Sequence, residues 1–191
     1  MEAFAYLSVL LSIIIGLGMT QVLTTAGRLI RRRDTVLWYW PPLVWAAAVL
    51  IIDIQVWWSM FALRTETVWT FAGFLVVLLQ TVALYMVAAL VLPDGDAEWS
   101  AGHMVDLRAD YEQQSAWFFG FLAAMLVISL LKGIVLDGHL PAPLDLAFHL
   151  LFLTMCAAAM VVRRTWYHEL TAAAGAAAIA AYIALLFSRL R

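Results

Sequence analysis

Apolar residues in this chain neither alternate nor keep to one helical stripe. They run in six continuous blocks, 4–27, 36–63, 68–92, 116–136, 144–162 and 170–187, separated by short polar breaks. A helix needs about 20 apolar residues to cross about 30 Å of hydrocarbon, so each block predicts a membrane-crossing helix. The second block is long, and Pro41-Pro42 marks its start, since proline fits a helix's first turn. The last two are near the short limit and cross upright or thin the bilayer locally. A membrane barrel needs alternating segments of about ten residues, which these blocks are not.

The connection 93–115 is polar and opens Pro-Asp-Gly-Asp. Met104, Leu107 and Tyr111 recur there at helical spacing beside Asp106, Arg108, Asp110 and Glu112. That pattern predicts a short amphipathic helix at the interface before the fourth helix, the alternative being a solvated extension of that helix. The expected fold is all-α: a six-helix transmembrane bundle forming a single domain over residues 1–191. Arg32-Arg33 before Trp38-Tyr39 echoes Arg163-Arg164 before Trp166-Tyr167, but this is only basic charge beside an aromatic belt, and no internal repeat is read from it.

Composition agrees with this reading. Of 191 residues 65% are hydrophobic and 13% charged, against about 25% charged in soluble domains. A soluble enzyme, a disordered chain and a disulfide-stapled scaffold are excluded. A net charge of −2 offers nucleic acid no electrostatic footing. The single cysteine, Cys156, excludes an intrachain disulfide.

Charge placement bears on orientation. Glu2 precedes the first block and no basic segment does, so that block is not read as a cleavable signal peptide. With both termini outside, the inner side holds Arg28, Arg31, Arg32, Arg33, Arg108, Arg163 and Arg164, and the outer side Arg64, Lys132, Arg189 and Arg191. This seven-to-four bias favours an inner-membrane protein of bacterial type with outside termini. Arg31, Arg32 and Arg33 are a topology signal that also suits anionic lipid headgroups. Trp38, Tyr39 and Trp40, then Trp57, Trp58 and Trp69, then Trp99, Trp117, Trp166 and Tyr167 read as interfacial belts.

Ionisable groups inside a membrane are costly and need a reason. Asp53 lies ten residues before Leu63, about 15 Å deep, and is expected to face the bundle interior or a wet cavity, not lipid. Helices two and three are joined by a short turn and are expected to pack as a hairpin. Gln80 then falls about 18 Å deep and is the expected hydrogen-bond partner of Asp53. The pair reads either as a proton or cation site or as a polar clasp between helices. Gln55 is about 200° from Asp53 around the helix and serves no common site with it. Lys132 lies about 6 Å deep, able to snorkel, with Asp137 and Asp145 as partners. His149, about 8 Å deep, lies beside Lys132 and reads as a proton shuttle or as a hydrogen-bonded structural residue.

Ser8, Ser12, Gly16, Thr20 and Thr24 recur every four residues in the first block, beside Gln21 and Thr25. The row drifts around the helix, which favours helix packing over a straight pore lining, while Thr20 and Gln21 remain candidates for a wet path. The alanine-dense sixth block is expected inside the bundle or at a subunit interface. His103, His139 and His168 fall in connections, so no intramembrane bis-histidine haem is expected, nor any other cofactor or metal cluster.

Three function classes follow. An oligomeric ion or proton channel or small-solute transporter leads, with path candidates Asp53, Gln80, His149, Lys132, Thr20 and Gln21; six short helices enclose little volume, so self-association is expected. A membrane scaffold or partner subunit is the alternative. An enzyme acting on lipid ranks lower, because no Gly-x-Ser-x-Gly or His-Glu-x-x-His segment is present.

Overall fold

The computed structural model describes residues 3–65, 69–93, 104–138 and 140–186. Six long helices follow in chain order: α1 (Ala3–Arg31), α2 (Trp40–Ser59), α3 (Phe71–Leu90), α4 (Leu107–Asp137), α5 (Pro143–Val161) and α6 (Thr165–Leu186). All six are long and apolar enough to cross a membrane, so the protein is polytopic. Turns of 3₁₀ helix, Arg33–Thr35 and Met60–Thr65, follow α1 and α2. Two short strands, β1 (Val36–Leu37) and β2 (Val105–Asp106), pair in parallel.

Local chemistry sets the boundaries. Pro41 and Pro42 occupy the first turn of α2, as expected, where no backbone donor is lost. The helix ends at Ser59, short of the block's end at residue 63, because the chain tightens into 3₁₀ geometry. The Thr70 hydroxyl accepts from Gly73 N at 3.1 Å and starts α3. Asp106 Oδ1 accepts from Arg108 N at 2.9 Å and Ala109 N at 3.1 Å, which starts α4. Gly138, at φ 72°, closes α4 in the left-handed conformation that favours glycine.

Among the described residues, no separate interfacial helix precedes α4. Leu107 and Tyr111 are buried in the first turns of one continuous 31-residue α4, and Met104 precedes it. Asp106 supplies a cap, and no turn signal follows before the apolar run, so the amphipathic segment extends the membrane helix. Residues 94–103 of that connection, with Trp99 and His103, lie outside the described residues, as does His139.

Two ends of the bundle can be told apart. At one, Phe4 stacks on Trp69, and Leu136 of α4 meets Gly73 of α3. At the other, β1 pairs with β2, and the start of α4 is bonded to the start of α6. There Arg108 Nη2 donates to Thr165 Oγ1 at 2.7 Å, and Tyr111 Oη lies 3.2 Å from His168 Nδ1. Burial and the Glu169 carboxylate push the adjacent Tyr39 hydroxyl above its ordinary range, against the opposing pull of Arg108.

Packing does not follow chain order. α3 packs chiefly on α4 and α1, and α2 chiefly on α6, so the expected α2–α3 hairpin is a minor contact. α1 buries Leu11, Ile15, Val22, Thr25 and Leu29 at steps that keep one face inward. The hydroxyl row lies on its other face: Ser12, Gly16, Thr20 and Thr24 are exposed, so the row does not pack against the other helices of its own bundle. In α6 only one stripe is inward, with His168, Thr171, Ala172 and Ile179 buried, while Ala173, Ala174, Ala177, Ala180 and Ala181 face outward.

Trp45 holds α2 to α6. Its indole is fully buried, edge-on to Phe118 and to Phe119 at 5.5 Å between centroids, and its six-membered ring closely approaches α6 at Gly175. A β-carbon at Gly175 would stand 2.6 Å from the indole Cη2. Gly175→Ala is therefore expected to lower stability by about 1–3 kcal/mol through overpacking. Gly16→Ala, where nothing lies within 4 Å, should not. Thermal unfolding in detergent compares them, and equal midpoints would refute the contact.

Candidate functional site

A cavity of about 260 Å³ occupies the bundle end where α4 finishes and α5 begins. Its walls come from the last turns of α2, α4 and α6, the first turns of α5 and the middle of α3. Phe148, Phe152, Leu122, Met125 and Ile179 supply apolar surface, and Gln55, Ser59 and Gln80 uncharged polar groups. Beyond it, toward the other end, Phe118, Phe119 and Trp45 are packed with no more than 1% exposure. The cavity is therefore backed there by a close-packed aromatic layer.

Its charged groups form a connected set. His149 Nδ1 lies 2.9 Å from the Asp145 carbonyl oxygen and 3.2 Å from Asp145 Oδ1. Both are acceptors, so Nδ1 carries the hydrogen. His149 Nε2 lies 3.2 Å from Ser129 Oγ, which accordingly donates to the neutral ring. Tyr182 Oη donates to Asp145 Oδ1 at 2.8 Å. The hydrogen-bonded His149–Asp145 pair on α5 thus ties α4 through Ser129 and α6 through Tyr182. Lys132, one turn beyond Ser129 on α4, lines the same cavity.

Among the path candidates, the cavity brings together His149, Lys132 and Gln80. Asp145 is engaged by His149 and Tyr182, on the same wall as Lys132. Ser129 and Tyr182 were not singled out from the sequence. The four-residue step from Asp145 to His149 is a signal for that pair; Tyr182, 37 residues away, has none.

Asp53 lies elsewhere, at the meeting of α1, α2 and α3. It is 1% exposed, and neither carboxyl oxygen has a hydrogen-bond partner among the described residues. This corrects the expected bond to Gln80. A β-carbon at Gly18 would lie 3.7 Å from Asp53 Oδ1 and 3.5 Å from Ala88 Cβ, so Asp53 is level with Ala88. Gln80 is eight residues earlier, about 12 Å along α3. The 3₁₀ turn Met60–Thr65 adds only about 3 Å of rise, so the depth match failed mainly because α2 and α3 do not pack as a hairpin. Gln55 faces the cavity and Asp53 does not, as their angular separation requires.

Thr20 and Gln21 line no part of the cavity; Thr20 is exposed and donates to its own helix at Gly16 O, 2.7 Å away. Arg31, Arg32 and Arg33 are exposed at the opposite end from the cavity. Compared with protein-family models, characterised proteins and solved structures, the chain matches none.

An unpartnered buried carboxyl opposes folding. Asp53→Leu, which keeps the branched shape and removes the polar atoms, is expected to raise the unfolding midpoint in detergent. A lower midpoint would mean that Asp53 holds the helices together.

Proposed function

We propose that the protein is a small-solute carrier, with the cavity as its solute site and Asp53 as an intramembrane proton site. The observation carrying this reading is the cavity at one end of the bundle, whose apolar walls hold a cluster of polar and charged side chains and which is backed by the close-packed Trp45, Phe118 and Phe119. A carrier exposes its site to one side at a time, whereas a channel keeps a continuous wet path. The solute-binding residues are Lys132, His149 and Gln80. Asp53 sits one turn beyond Val56, a cavity-lining residue, and an isolated carboxyl at that depth has a functional reason where a structural partner is missing. By charge bias the cavity faces outward, and Arg31, Arg32 and Arg33 meet anionic headgroups on the inner side.

A second reading has its own support. Ser129, His149 and Asp145 stand in the order of nucleophile, base and orienting acid, at 3.2 Å for each side-chain step. Against hydrolysis, Ser129 lies inside α4, where backbone donors are used by the helix and form no oxyanion hole. Labelling of Ser129 by a fluorophosphonate probe, abolished in Ser129→Ala, would favour the enzyme.

The carrier reading is tested in proteoliposomes by counterflow of radiolabelled lactate, choline and glycine, with internal pH followed by a trapped dye. Accumulation of at least one probe is expected, with proton movement lost in Asp53→Asn and solute movement lost in Lys132→Met. No movement of protons or of any probe by the folded wild-type protein overturns it.

A further inference from the structure

We infer that the cavity takes a small amphipathic carboxylate together with a proton, His149 being the proton acceptor and Ser129 the group that reports its charge to the ligand. The inference rests on the cavity being a solute site.

Hydrogen-bond accounting at His149 carries it. Nδ1 faces two acceptors, the Asp145 carbonyl oxygen at 2.9 Å and its carboxylate at 3.2 Å, so it keeps its hydrogen in both charge states. Only Nε2 is free to gain or lose a proton, and its partner is Ser129 Oγ at 3.2 Å. With the ring neutral, the hydroxyl must donate to Nε2. With the ring charged, Nε2–H donates to the hydroxyl oxygen, and the hydroxyl hydrogen is released to point elsewhere. Ser129 and His149 both line the cavity, so one proton turns a committed donor into an available one.

The same proton changes the cavity's charge. Among the described residues, the other titratable side chains lining it are Lys132 on α4, Asp145 on α5 and Tyr182 on α6; α2 and α3 contribute the uncharged polar Gln55, Ser59 and Gln80. With His149 neutral, Lys132 and Asp145 balance. With His149 charged, the lining carries one net positive charge. A carboxylate answers both changes, accepting from the Ser129 hydroxyl and from Lys132, which stands on the same face of α4. Its tail meets Phe148, Phe152, Leu122 and Ile179. A neutral or cationic analogue of the same shape gains nothing from the proton. Proton and anion enter as a neutral pair, which lowers the cost of occupying a site among apolar walls.

Binding of benzoate, benzamide and benzylamine to the full chain in detergent, by calorimetry at about pH 5.5 and about pH 8, tests this directly. Benzoate is expected to bind about tenfold more tightly at the lower pH, and the other two more weakly and with no gain on acidification. His149→Gln should abolish the pH step. Ser129→Ala should weaken benzoate binding at the lower pH and leave it unchanged at the higher, which a purely structural role for the hydroxyl does not produce. Equal benzoate affinity at both pH values, no benzoate binding, or benzamide binding as tightly as benzoate overturns the inference. Benzoate binding with the stated pattern in a protein that moves no probe across liposomes overturns the carrier and leaves the site standing.

Discussion

Inside hydrocarbon a backbone N–H or C=O has no water to turn to, and every other feature of this protein follows from that constraint. Helices satisfy it internally, and six of them account for the crossings. The same rule applies to side chains. The Ser8 and Thr20 hydroxyls on the outward face of α1 donate to carbonyls of their own helix. Polar groups that cannot be satisfied this way gather where several helices meet.

The bundle meets that demand differently at its two ends. One is closed by direct bonds between starting turns of α4 and α6, with Arg108 reaching Thr165 and Tyr111 meeting His168. Below it Trp45, Phe118 and Phe119 fill the space, and Gly175 lets the indole reach the α6 backbone. The opposite end keeps a cavity because its polar side chains, Asp145, His149, Ser129 and Tyr182, bond one another across three helices and leave apolar walls around them.

Asp53 stands apart from this pattern. Its carboxyl has the burial of a core residue and none of the partners found around Asp145. The buried Asp53 and the part-exposed Asp145 thus have opposite surroundings. Asp145 is embedded in a network that orients His149, whereas Asp53 is a solitary group against Gly18, on the helix that contributes nothing to the cavity wall.

Membrane class, helix number and most boundaries were legible in the sequence, because block length against bilayer thickness and the Pro41-Pro42 start are local properties. So were the placement of His149 beside Lys132 and the separation of Gln55 from Asp53, which depend only on rise and turn per residue. The tertiary structure alone decided which helices touch. Chain order suggested that α2 packs on α3, but Trp45 and Gly175 direct α2 to α6, and without that hairpin Asp53 is not level with Gln80. The link from Tyr182 to Asp145 and the outward turn of the α1 hydroxyl row were likewise decided there. Such facts depend on how side chains of distant segments fit, and no spacing along the chain encodes that fit.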